Sequence, residues 1–236
     1  WLGGEFWFQH LETGLYRITE RGPELKFTAN QLPPPLIIAL FRDESGVVTV
    51  SNDGLVRAGE SVPISPKALN DYLTQHKVSA FTEIPDGNLA IGTLSGGLVL
   101  TSRTGEIIRI LADAATGLPG RTVTSLTADP SGEVLGTSPT DFFHFPATGH
   151  VSIFNALNGL RSQGTTGLAM WRSSLYVTTE DGTFRQVGGS DGKVGFQPIP
   201  SLAPRYLNML PAGNGLLLAR FGGVDWFDGE TVRAAY

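Results

Sequence analysis

Apolar residues in this chain come in short blocks separated by turns bearing Gly, Asp or Ser, and the order of blocks and turns repeats. One series of turns is marked by Gly4, Gly46, Gly87, Gly132 and Gly215, with Ser174 in the fifth place; a second is marked by Gly14, Gly54, Gly97, Gly182 and Gly223, with Asp141 in the fourth. Successive spacings are 42, 41, 45, 42 and 41 in the first series and 40, 43, 44, 41 and 41 in the second. Two independent series that agree on about 42 residues and six copies define an internal repeat.

Each copy holds a short apolar segment between its two turns (residues 6–8, 47–50, 89–91, 134–135, 175–177 and 216–218) and another after the second turn (15–16, 55–56, 98–100, 142–143, 184 and 224–227). Such segments, bounded by pairs such as Asp53-Gly54, Asp86-Gly87 and Asp181-Gly182, predict strands joined by hairpins. A third strand per copy is expected before the first turn (36–41, 78–81, 123–126, 165–169 and 206–210). Seven residues before that turn stand Ala39, Ala80, Ser125, Gly167 and Asn208, all small or compact; six before it stand Leu40, Phe81, Leu126, Leu168 and Met209, all apolar. A small position beside an apolar one suits a strand crowded around a central axis. A less regular fourth strand is placed at 25–27, 107–110, 151–154, 194–197 and 231–234.

Four short antiparallel strands per repeat predict an all-β fold, a β-propeller with six visible units at about 1–34, 35–77, 78–121, 122–163, 164–205 and 206–236. A solenoid of helix pairs fails because only residues 66–76 read as a helix, with Ser65 as its cap, and a β-sandwich would not return every 42 residues. Residues 64–76 and 112–119 are expected to be loops joining one blade to the next. The chain opens at Trp1, inside its own innermost strand, and is expected to be a processed or excised piece, six-bladed or cut from a seven-bladed ring.

Gly117-Leu118-Pro119, then Val123-Thr124-Ser125-Leu126, Asp129, Gly132 and Gly136-Thr137 form a phrase that recurs in part as Asp86-Gly87-Asn88-Leu89 with Ile91-Gly92-Thr93, and as Gly14-Leu15-Tyr16-Arg17. This phrase resembles the two-component regulator propeller repeat, sharply over 78–121 and 122–163. The tryptophan of the family's second strand stands here as Trp7, whereas Thr49, Ala90, Leu135, Val177 and Leu218 occupy the matching places, so the chain looks like a divergent member. The resemblance implies a periplasmic or extracytoplasmic sensory region of a bacterial hybrid histidine kinase or diguanylate cyclase. It implies a non-catalytic role in binding a small molecule, an oligosaccharide or a protein partner.

Composition narrows the chemistry. Lys and Arg number 17 against 22 Asp and Glu, a formal charge of −5, with no basic run; this argues against nucleic acid as the main partner. The chain has no cysteine, so disulfides, thiol nucleophiles and Cys-ligated zinc are excluded. No apolar stretch approaches the ~20 residues of a membrane-spanning helix, so no membrane contact is expected within the segment. No phosphate loop, nucleophile elbow or metal-spaced histidine pair occurs, and no cofactor or metal is expected. His144 and His150 are expected in a solvent-exposed turn, and Trp and Tyr are expected to pack blade against blade.

In a propeller, the second turns and the blade-to-blade loops gather on one face around the axis. That face would present His10, Asp53, Asp141, Asp181 and Arg220, while Arg121, Arg161 and Arg205 enter from the connecting loops and would converge as an anion site. Two other readings stand beside the sensor. One is a structural or homodimerising scaffold; the other is an enzyme like the streptogramin lyases, for which only His10 lies in a suitable loop.

Overall fold

The computed structural model describes residues 2, 5–33, 36–113, 116–145, 152–154, 160, 164–188, 194–202 and 206–235. Six antiparallel sheets follow one another along the chain. The first holds β1 (Trp7–His10), β2 (Gly14–Thr19) and β3 (Gly22–Thr28); the second holds β4 (Ala39–Asp43), β5 (Gly46–Ser51) and β6 (Gly54–Arg57). After α1 (Lys67–His76) come four sheets of four strands. These are β7 (Val78–Glu83), β8 (Leu89–Thr93), β9 (Leu98–Thr101) and β10 (Ile107–Leu111); β11 (Ser125–Ala128), β12 (Val134–Thr137), β13 (Phe142–Phe145) and β14 (Ser152–Phe154); β15 (Thr165–Trp171), β16 (Ser174–Thr179), β17 (Gly182–Gly188) and β18 (Val194–Pro198); and β19 (Asn208–Ala212), β20 (Gly215–Arg220), β21 (Gly223–Phe227) and β22 (Val232–Ala234).

A strand with both faces buried reads as a continuous apolar run, because alternate side chains enter different cores. Here Val134 packs with Ala90, Leu98 and Leu100 of the third sheet, while its neighbour Leu135 packs with Leu168, Leu175 and Val177 of the fifth. Phe142 and Phe143 divide in the same way, as do Leu175 and Tyr176. Successive sheets from the second to the sixth are therefore stacked face to face with a core in each gap, the arrangement of propeller blades. Trp171 fills the gap between the fifth and sixth sheets, its ring 6.2 Å from that of Phe227.

Hydrogen bonds join the blades where each new sheet begins. The Ile37 N–H donates to Gln9 Oε1, the Val78 N–H to Asn52 Oδ1 and the Val123 N–H to the Thr93 carbonyl, so the end of one sheet's second strand catches the first residues of the next. The same crowding explains the small residue kept in the innermost strand. A Cβ on Gly167 would lie 3.0 Å from Asn208 Cα and Thr178 Oγ1, in the next blade and the next strand.

Several expectations are corrected. Four strands per sheet does not hold for the first two sheets, which have three among the described residues. In the first, β1 occupies the second-strand place and, among the described residues, a Leu2–Glu5 bridge precedes it. In the second, the chain beside β6 makes a single bridge at Pro63, which has no N–H with which to continue a ladder. The innermost strand of the second sheet starts at Ala39 rather than at residue 36. Ser65 does not cap α1: Pro66 is the N-cap, and the Ser65 hydroxyl accepts from the Leu55 N–H and donates to Asn70 Oδ1, tying helix to sheet. His144 is a strand residue of β13, bonded through Nε2 to Glu133 Oε2 at 2.7 Å. His150 and Val151 lie outside the described residues.

Candidate central binding site

The innermost described strands of all six sheets border one cavity of about 630 Å³, a volume in the range of small-molecule sites. Its polar lining is mostly uncharged: Gln9, Ser79, Thr124, Ser125, Thr127 and Asn208, against apolar walls from Phe81, Leu126 and Met209. Ser125 and Asn208 belong to the column of small residues read from the sequence, and both lie on the cavity wall, as do their apolar neighbours Leu126 and Met209. Glu83 is the carboxylate on the lining, and Arg103 Nη2 bonds to it.

Second turns and blade-to-blade connections share one face, as expected from the repeat. The Gly97 N–H donates to the Arg121 carbonyl, the Gly164 N–H to the Pro139 carbonyl, and Asn52 holds Val78. On this face the anticipated residues take different roles. Asp53 and Asp181 are exposed turn residues whose N–H groups donate to Ser51 and Thr179 hydroxyls. Asp141 is committed to its own turn, its Oδ2 accepting from Thr140 Oγ1 at 2.6 Å. His10 ends β1 with its Nδ1 3.0 Å from Thr13 Oγ1. Arg121 is exposed at the start of the fourth sheet, near enough to Tyr72 for its charge to oppose the rise that burial gives the Tyr72 hydroxyl pKa. Arg161 and Arg205 lie outside the described residues. None of the described ones among these residues is part of the cavity wall itself.

Among the described residues, Arg220 is the one anticipated residue built into a buried network. Its Nε donates to Asp225 Oδ2 at 2.9 Å, and the same oxygen accepts from the Tyr206 hydroxyl at 2.9 Å. The Arg220 hydrogen bond is the main force holding the Asp225 carboxyl below the usual carboxylate range, with Tyr206 adding to it. Burial, then the bond to Asp225, pushes the Tyr206 phenol up to about 12. A fixed guanidinium therefore stands at the start of the sixth sheet, two residues of chain away from Asn208 through Tyr206.

Charged loop residues mark a candidate site in the sequence, and a lining of neutral hydroxyls and amides carries no such mark. The column of small residues marks the axis but does not separate a wall residue such as Ser125 from a packing residue such as Gly167. Position within the strand decides that, and only the register of the sheets supplies it.

No family model matches the chain, and no curated protein matches it. Solved structures do. The chain is similar to the extracellular domain of the hybrid two-component system BT3049 from B. thetaiotaomicron, with a TM-score of 0.72 at 13% identity, over 96% of this chain and 32% of that one. It is similar to the extracellular domain of the one-component system BT4673 from the same organism, with a TM-score of 0.67 at 15% identity, over 98% and 34%. It is also similar to a streptogramin B lyase, with a TM-score of 0.66 at 13% identity, over 98% and 78%. The chain spans about a third of the length of the two extracellular domains. At these identities the likeness is one of fold, and the fold is propeller-like.

Proposed function

We propose that the chain is a non-catalytic sensory propeller of an extracytoplasmic bacterial signalling protein, and that it binds an anionic small molecule or oligosaccharide at the mouth of the central cavity. The observation that carries this reading is the single cavity bordered by all six sheets and lined by neutral donors and acceptors, with the Arg220 guanidinium fixed nearby. Neutral groups orient hydroxyls, and arginines on the surrounding loops supply charge for a carboxylate or sulfate. Arg121, Arg161 and Arg205 are assigned that part, with Arg220 beside them. The fold-level likeness to two extracellular domains of signalling proteins favours the sensor over a purely structural scaffold.

Likeness to a streptogramin B lyase supports an enzyme as the second reading. That chemistry needs a base at the cavity, whereas His10, His76 and His144 are engaged with Thr13, Ser95 and Glu133 away from the wall. Calorimetric titration with acidic and neutral oligosaccharides of matched length tests the proposal. Acidic ones bind, and replacing Arg121, Arg161 and Arg205 together by Ala abolishes the heat while the fold is kept. Unchanged affinity in the triple variant removes the arginine site, and cleavage of the ligand during titration removes the non-catalytic reading.

A further inference from the structure

We infer that a second ligand site lies between the fifth and sixth sheets, at the end of the strands remote from the cavity mouth, and that it takes a small organic carboxylate carrying a ring. A cavity of about 450 Å³ opens there, lined by Trp171, Arg172, Tyr176, Arg185, Asp228 and Glu230 among others. Its floor is aromatic. Trp171 and Tyr176 are 6% and 4% exposed, with ring centroids 5.7 Å apart. The Tyr176 hydroxyl has no protein partner among the described residues and is not one of the enclosed unpaired side-chain atoms, so it opens on the cavity.

The charges on the rim are unevenly committed. Arg185 sits directly across from Tyr176 in the register of β16 and β17, and its guanidinium has no partner among the described residues. Arg172, in the left-handed region at φ 49°, lies over the Trp171 ring at 4.2 Å and gives one N–H to the Asn214 carbonyl. Asp228 neutralises neither. Its oxygens accept from the Glu230 and Thr231 N–H groups and from Thr231 Oγ1, which holds its pKa down to about 2. Gly229 closes the opposite wall, where a Cβ would come within 3.2 Å of the Trp171 ring. The pocket thus offers a free guanidinium and a free phenol side by side above an aromatic floor. A carboxylate accepts from both, and its ring lies on the floor. Glu230, also on the rim, repels a dianion and favours a single negative charge.

Titration of the whole chain with benzoate and with D-glucuronate, followed by calorimetry, tests this, with benzamide and D-glucose as neutral counterparts. At least one of the two acids is expected to bind at millimolar concentration and its neutral counterpart not to. Arg185→Ala weakens the acid by about tenfold or more. Tyr176→Phe keeps the ring and also weakens it. Thermal midpoints of the variants report folding separately. Failure of both acids to bind, equal binding of a neutral counterpart, or binding that survives Arg185→Ala overturns the proposal.

Discussion

The Ser79 hydroxyl donates a 2.6 Å hydrogen bond to the carbonyl of Val123, one repeat further along the chain. Thr166 does the same to the Tyr206 carbonyl at 2.7 Å. Both donors stand eight residues before the first turn of their own unit, and both acceptors nine before that of the next, so one repeat position sews blade to blade. Thr124, at the same position, bonds instead to Thr137 within its own sheet. Ser79→Ala and Thr166→Val are each expected to lower stability by about 1 kcal/mol. Urea midpoints measure this, and unshifted midpoints in both would show that the contact contributes nothing.

Gly167 is required by proximity. A methyl group there meets Asn208 Cα, Asn208 Oδ1 and Thr178 Oγ1, each at 3.0 Å, and the first of these is backbone that cannot swing aside. Gly167→Ala is expected to cost roughly 1–3 kcal/mol by overpacking. A thermal melt reads it, and an unchanged midpoint would place the fifth and sixth sheets further apart than described.

Asp225 links acid stability to the Arg220 network. Its folded pKa is depressed, so its contribution is complete above the unfolded value near ~3.9 and is lost as the pH falls through the lower folded value. Asp225→Asn is expected to cost about 2 kcal/mol at neutral pH, since hydrogen bonds to a charged group are lost, and to flatten this part of the acid limb. Denaturant titrations of both proteins across the acid range give the comparison. Parallel acid limbs would contradict the assignment.

Asp228 follows the same sign on the outer turn of the sixth sheet. Three hydrogen bonds from Glu230 and Thr231 hold its carboxyl to about 2, so it stays ionised where an ordinary aspartate protonates. Nuclear magnetic resonance titration of its side-chain carbon is expected to show a midpoint near that value; a midpoint in the ordinary range would mean the turn is not formed in solution.

Most of the strand framework was legible in the sequence because turn chemistry recurs with a fixed period and each strand buries both faces. The run Val134-Leu135 looks featureless as a pattern, yet its two side chains serve different cores. Local exceptions were hidden. Ser65 precedes a helix and so reads as a cap, but the unpaired Leu55 N–H on the neighbouring strand captures its hydroxyl. His144 stands just before a Pro-Ala-Thr-Gly sequence that reads as a turn, yet it falls on the strand face where Glu133 waits. In the site, Arg220 was visible as a loop charge, while Gln9, Ser79 and Thr124 were not, because a neutral side chain becomes a wall only when six sheets bring it to one cavity.

Radial packing of the six sheets is tested most directly by distance. The chain has no cysteine, so spin labels can be placed in pairs without background. Glu20, Thr104 and Glu230 are exposed turn residues between the third and fourth strand positions of the first, third and sixth units. With Glu20→Cys as the common partner, the distance to a label at Glu230→Cys is expected to be no longer than that to one at Thr104→Cys, because the last blade returns towards the first. A first-to-sixth distance well beyond the first-to-third distance would contradict a shared hub.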